Sequence, residues 1–309
     1  MNKTLLKGVC FALLTAIVSG IALFYSKLTI VRVPPILFTA SRNTYVAIAF
    51  LLLFLLGRKI NVNELKKAKK KTLILLILVG IIGGGVPFYL FFTGLQYTPV
   101  ATANLIHKTL FIWVSILAMV FLGEKFNFMY FVSYLLIVAG SFYILPVHFS
   151  LSFNKGELII FAATMLWAIE NIIAKRVLRE ISSNTVALAR MGIGSIILFA
   201  FFFVGGKKAP PLLFDFDHLT TLIIGGSLLF FYVFFWYRAL KYAPASIVTL
   251  ILTFATIAQS LLIRVYTGVH FAKNSIYSML LVSIGIALIF AFAMAQLFHS
   301  KTEKPVRHG

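Results

Sequence analysis

Hydrophobic residues fall in ten long stretches broken by short polar segments, at about 6–27, 34–56, 73–95, 99–121, 127–146, 156–175, 184–204, 218–238, 244–264 and 273–297. Each stretch is close to the ~20 residues that a helix needs to cross a hydrocarbon layer of ~30 Å. None alternates apolar and polar with period two, so a membrane barrel is excluded. The pattern predicts an all-α membrane protein with ten transmembrane helices. Pro34 and Pro35 open the second stretch, where a missing N–H is tolerated in the first helical turn. Composition adds the solvent: 61% of residues are hydrophobic, 12% are charged and mean hydropathy is +1.00, more apolar surface than a soluble domain can hide.

The second five stretches repeat the first five. A shift of 148 residues lays 7–57 onto 155–205 without a gap, matching Lys7 with Lys155, Gly8 with Gly156, Lys27 with Lys175, Arg42 with Arg190 and Gly57 with Gly205. Further on the shift is 145, matching Gly80 with Gly225, Tyr97 with Tyr242, Pro99 with Pro244, Phe126 with Phe271 and Gly140 with Gly285. The matches include rare residue types at equal depth, which repeated hydropathy alone does not produce. Five spans per half is an odd number, so the second half enters the membrane from the opposite side. The reading is two inverted five-helix repeats, 1–149 and 150–309, joined by a linker at Ser150–Asn154.

These residues resemble the drug/metabolite transporter superfamily, in particular its ten-helix EamA-type members. The first-helix pattern of that family, roughly Trp-Gly-Ser-x5-Lys with an Arg in the next helix, is met by Ser19-Gly20, Lys27 and Arg42, and again by Trp167-Ala168, Lys175 and Arg190. The hairpins Tyr97-Thr98-Pro99 and Tyr242-Ala243-Pro244, and Gly123-Glu124 at the end of helix four, are also similar to the family. The chain departs from the pattern at Ser19 in place of the first tryptophan, at Val269 in place of the second glutamate, and in lacking a mid-helix proline in helices four and nine, with Phe111 in the expected place in the first. The resemblance implies a central site walled by helices one, three, four, six, eight and nine, with five and ten supporting it or pairing subunits into a homodimer.

The net charge of +20 first suggests a nucleic-acid partner, but its distribution excludes one. Most of the 28 Lys and Arg lie on the side that carries both termini, densest at Lys66–Lys71. That bias predicts cytoplasmic termini in the cell (inner) membrane, with the basic loop touching anionic lipid. The single cysteine, Cys10, excludes an internal disulfide. The first stretch lacks a cleavage site and reads as a retained span.

Polar residues inside the stretches carry the candidate site. Thr249, Thr253, Thr256 and Ser260 recur on one face of helix nine. Their repeat partners in helix four are Asn104, Lys108, Phe111 and Ser115. Two matched polar faces read as walls of one pathway. A charge at mid-membrane costs about 2.5–3.5 kcal/mol on the insertion scale, so Lys108 and Glu170 are expected to face protein or a wet cavity. Their similar depth suggests a pair, or a site that splits a zwitterion, carboxylate to Lys108 and amine to Glu170. His107 or Glu170 is the candidate proton carrier if transport is proton-coupled. Tyr89, Thr93 and Gln96 form a stripe on helix three, and Trp167, Tyr232 and Trp236 are candidate aromatic walls. Arg42 and Arg190 read as packing or topology residues. Gly83-Gly84-Gly85 and Gly225-Gly226 read as points of close approach or bending. Asp215-Phe216-Asp217 reads as a solvated helix start.

No catalytic, metal-binding or phosphate-cradling motif is legible, so no cofactor is assigned and transport must run on gradients. The sequence therefore reads as a secondary transporter, not an enzyme, exporting small polar metabolites such as amino acids by alternating access. The alternatives are organic cations or drugs as cargo, a passive channel, or a non-transport membrane enzyme.

Overall fold

The computed structural model describes residues 2–29, 33–56, 62–124, 128–143, 154–206, 216–268 and 273–302. Residues 150–153 of the linker, Phe126, Phe271, Pro210, Pro211, Asp215, Val269 and the side chain of Lys27 lie outside the described residues. The first repeat holds α1 (Asn2–Leu28), α2 (Pro35–Leu56), the short α3 (Val62–Lys67), α4 (Lys70–Val79), a π-helical turn Gly80–Gly85, α5 (Val86–Gly94), α6 (Val100–Lys108), α7 (Leu110–Leu122) and α8 (Phe128–Tyr143). The second holds α9 (Lys155–Val177), α10 (Ser183–Val204), α11 (Phe216–Tyr242), α12 (Ala245–Leu252), α13 (Phe254–Thr267) and α14 (Lys273–Thr302). Among the described residues, nine helical spans are long and apolar enough to cross a membrane, and Phe128–Gly140 is a tenth, shorter apolar helix. Span three runs through α4, the π-turn and α5; span four is α6 with α7; span nine is α12 with α13.

The helix ends follow local chemistry. Asn154 and Glu157 form a reciprocal capping box at the start of α9, with bonds of 2.9 and 3.0 Å. Ser182 caps α10 through the Thr185 amide. Gly123 closes α7 at φ 67° and Gly268 closes α13 at φ 69°, a left-handed cap that glycine adopts without penalty. These two caps are themselves repeat partners, so the halves share their punctuation.

The packing has the symmetry of the repeat. α1 packs on α11 as α9 packs on α4 and α5; α1 packs on α13 as α9 packs on α7. The pairs α2 with α10 and α8 with α14 join equivalent helices across the pseudo-twofold, and α7 with α12 joins the second half of span four to the first half of its equivalent, span nine. Gly8 on α1 abuts Tyr242 and Ala243, while Gly156 on α9 abuts Tyr97 and Thr98, so no Cβ fits at either glycine. Beside these contacts Lys7 lies 4.5 Å above the Tyr242 ring and Lys155 lies 5.5 Å above the Tyr97 ring. The duplicated Lys-Gly and Tyr-x-Pro motifs are thus two clasps, each tying the first helix of one repeat to the hairpin of the other. Gly140 and Gly285 let α8 and α14 approach in the same reciprocal way, Gly140 against Ser278 and Val282, Gly285 against Ser133 and Ile137. Small residues permit such backbone approach where lipid supplies no hydrophobic drive.

Three spans depart from the continuous helices expected. The glycine run of span three winds as a π-turn, and Gly84 sits directly on the Arg190 carbonyl and Gly194 of α10. Carbonyls of this turn find side-chain donors: Trp167 Nε1 bonds Gly83 O at 3.1 Å and Asn43 Nδ2 bonds Gly84 O at 3.2 Å. Such partners make irregular backbone tolerable at membrane depth.

Candidate functional site

Spans four and nine are both interrupted near mid-membrane, at Thr109 and Thr253. The two breaks share one chemistry. Thr109 N and Oγ1 both bond Ile106 O, at 3.1 and 2.7 Å; Thr253 N and Oγ1 both bond Leu250 O, at 3.2 and 2.6 Å. Bonding three residues back tightens the helix locally, and the hydroxyl holds the turned carbonyl. The interruption therefore forms without the proline that the family resemblance leads one to expect. Trp113 Nε1 donates to Thr109 Oγ1 at 3.0 Å and fixes the first break.

Beside the breaks lies a cavity of about 50 Å³, lined by Lys108, Phe111, Thr253, Thr256 and Ser260, and closed by α14 through Ser278 and Val282. A water needs roughly 10–15 Å³ measured in this way, so a few waters or a small polar group fit. Parts of the stripes expected on helices four and nine line this space, Lys108 and Phe111 from one and Thr253, Thr256 and Ser260 from the other, while Asn104, Ser115 and Thr249 do not line it. Its third wall is helix ten, not one of the helices that the resemblance implies around a central site. Ser260 Oγ donates to Thr256 O at 2.8 Å, and Thr253 Oγ1 donates to Leu250 O. Their hydrogens are engaged by the helix, so these oxygens remain as acceptors.

Glu170 has other partners than the pair drawn from sequence. Its Oε1 accepts from Tyr237 Oη at 2.7 Å and lies 4.0 Å from Arg190 Nε. Glu170 is 1% exposed and Tyr237 0%. Lys108 lines the cavity at the breaks, and Glu170 does not. The physical reason is antiparallel register: Glu170 and Arg190 each lie roughly two helical turns from the loop joining α9 to α10, which puts them at equal depth. Gly83 admits the pair, because a Cβ there would meet Glu170 Cγ at 2.6 Å and Arg190 Nε at 3.0 Å. The cluster joins α9, α10 and α11 of the second repeat to the π-turn of the first. Sequence reading missed Tyr237 and read Arg190 as packing; the equal distance of Glu170 and Arg190 from one loop was the available signal.

The remaining candidates are placed as follows. His107 lies against Trp167, ring centroids 4.7 Å apart, and against Phe91 at 5.8 Å. Trp167 is buried, with its indole N–H on the π-turn. Asn104 is exposed on α6, one turn before Lys108. Thr249 is buried and bonds back to Ala245 O and Ser246 O at 3.0 and 3.2 Å, so it supports α12 and does not line the cavity. Tyr89 stacks on Phe201 at 4.4 Å, at the junction of α5 and α10. The walls expected from Tyr232 and Trp236 stack on each other at 5.9 Å.

The family-like Lys175 and Glu124 meet one hairpin end from two directions. Lys175 Nζ bonds the carbonyls of Leu240 and Ala243, while Glu124 accepts from Ala245 N at 2.7 Å, Ser246 N at 3.2 Å and Ser246 Oγ at 2.6 Å. Lysine at the end of α11 and carboxylate at the start of α12 each suit the local helix dipole. Among the described residues no group of three or more His, Cys, Asp or Glu is placed to hold a metal ion.

Comparison with known proteins agrees with this architecture. Among 29 solved chains that match, one described only as "Crystal structure of protein" superposes with a TM-score of 0.72 at 16% identity, covering 91% of this chain and 98% of its own. At that identity the likeness speaks for the fold alone. No curated protein matches the chain. The model of the EamA-like transporter family matches twice, over residues 6–145 and 154–291. Matched over both halves, the chain belongs to the EamA-like transporter family, and with it to the drug/metabolite transporter superfamily, whose members are membrane transporters.

Proposed function

We propose that this multi-pass protein is a secondary transporter for small zwitterions such as amino acids, working by alternating access of its two repeats. The supporting observation is the chemistry of the cavity at the helix breaks. Lys108 is a donor-only cation, and Thr253 and Ser260 present acceptor oxygens whose hydrogens are held by the helix. A carboxylate meets Lys108 and an ammonium group meets the hydroxyl oxygens. Glu170, engaged by Arg190 and Tyr237, does not serve the amine in this reading. Interrupted helices at the midplane, one from each repeat, are a usual place for a transported solute. The cell membrane is the location, with export the direction. Both termini lie in the cytoplasm, on the side of the exposed Lys66, Lys67, Lys69, Lys70 and Lys71.

The test is ligand-dependent thermal stabilisation of the purified protein across amino acids, sugars, nucleosides and organic cations. A specific binder raises the unfolding midpoint by mass action. Amino acids should stabilise the wild type and lose that effect in Lys108→Met and Thr253→Val. Stabilisation by organic cations alone would assign the cavity a different cargo.

A further inference from the structure

The pseudo-symmetry that relates the repeats leaves one charge unbalanced. Under the 148-residue shift Arg42 corresponds to Arg190 and Ala22 to Glu170. Under the 145-residue shift Gly225 and Leu228 correspond to Gly80 and Gly83. Arg190 therefore has a carboxylate where Arg42 has a methyl group. In the space that the shorter side chain leaves lies a second cavity of about 50 Å³, lined by Ala22, Tyr25, Arg42, Thr221, Gly225 and Leu228. Arg42 is half-buried, and its Nε is buried and, like that of Arg190, has no hydrogen-bond partner among the described residues; what distinguishes Arg190 is the Glu170 carboxylate 4.0 Å away. Its guanidinium rests 5.0 Å from the centre of the Phe38 ring, and no described carboxylate lies within 4.0 Å of it. The titratable rings nearby are Tyr25, which lines the cavity, and His218 of α11, whose centroid is 5.6 Å from that of Phe38.

We propose that this cavity binds the carboxylate group of a small organic acid, which takes the place at Arg42 that Glu170 takes at Arg190. Several features support that chemistry. Guanidinium is a planar, permanently charged fork matched to carboxylate. Leaving a buried charged donor without an acceptor is costly, so a bound anion recovers what the fold forgoes. The volume holds a carboxylate head and little more. The walls come from α1 and α2 of one repeat and α11 of the other, so a bound anion bridges the two bodies whose relative motion alternating access requires. This site is separate from the cavity at Lys108, and the inference stands whichever cargo that cavity takes.

The substitution Ala22→Glu should install the missing partner. The experiment compares wild type, Ala22→Glu, Arg42→Gln, Arg42→Lys and Lys108→Met by thermal unfolding in detergent, with sodium acetate titrated against sodium chloride of equal ionic strength. Acetate should raise the midpoint of the wild type and of Lys108→Met. It should leave Ala22→Glu and Arg42→Gln unmoved. Without acetate, Ala22→Glu should melt above the wild type, because an internal carboxylate replaces the ligand. Arg42→Lys should respond weakly, having charge without the fork. The idea is overturned if acetate stabilises Ala22→Glu as much as wild type, or if the response disappears in Lys108→Met and persists in Arg42→Gln. It is also overturned if acetate has no effect on the wild type; a parallel titration with phosphatidylglycerol that alone stabilises the wild type would then assign the cavity to a lipid headgroup.

Discussion

Replacing Glu170 by glutamine removes the counter-charge of Arg190 while keeping shape and one acceptor for Tyr237. Both members of the ion pair are buried, so the cost is set by the stranded arginine more than by the lost contact. Breaking a buried pair by removing one partner costs about 3–5 kcal/mol. At about 2 °C per kcal/mol, the lower bound for large domains, the midpoint should fall by about 6–10 °C. Arg190→Met should cost a similar amount by stranding Glu170. The double variant removes both charges and should recover most of the loss, because an apolar replacement of a buried pair is often close to neutral. The assay is the thermal midpoint in detergent for the two singles and the double. Lys108→Met combined with Glu170→Gln is the control and should be additive. If the Glu170–Arg190 double falls by the sum of its singles, or the Lys108 control recovers instead, the assigned pairing is wrong.

Gly84→Ala should be among the most damaging small changes in the chain. The new methyl would enter the Arg190 carbonyl and the Gly194 backbone, and neither can move aside cheaply, so a loss of at least about 1–3 kcal/mol is expected in thermal unfolding. Gly192→Ala, whose Cβ would meet only Ala47 at 4.0 Å, is the matched control and should be neutral or stabilising by up to about 1 kcal/mol. Glu124→Ala strips the α12 N-terminus of one carboxylate holding two backbone amides and a serine hydroxyl; about 1–3 kcal/mol should be lost, and hydrogen exchange at Ala245 and Ser246 should accelerate.

Much of the fold was written in rare residues at fixed separations. Lys7, Gly8, Tyr97 and Pro99 each have a copy in the second half, and the structure gives the copies a common purpose: each Lys-Gly pair clasps the other half's hairpin. The stripes on helices four and nine were legible in part: helical periodicity puts Thr253, Thr256 and Ser260 on one face of their helix, but that Lys108 lies across from them while Asn104, Ser115 and Thr249 do not line the cavity is decided by packing between helices. The π-turn at Gly80–Gly85 was not legible. Its winding depends on donors from elsewhere, Trp167 and Asn43, which no local pattern announces. The break at Thr109 was missed for a related reason: a threonine that tightens a helix is indistinguishable in sequence from one that merely bonds back along a straight one, as Thr249 does. The partner of Glu170 was misread because depth was compared across the whole chain, whereas the short loop between α9 and α10 already set Glu170 opposite Arg190. The pocket's third wall, α14, follows from packing among three helices and has no signature in any one of them.

The most direct test of the transporter reading is counterflow in proteoliposomes. Vesicles are preloaded with an unlabelled solute that stabilises the protein, then diluted into a trace of the labelled form. Alternating access predicts transient accumulation of label above its equilibrium level, abolished by Lys108→Met and by Thr253→Val. Monotonic equilibration of label with no overshoot, together with ion conductance in planar bilayers, would contradict it and make the protein a channel.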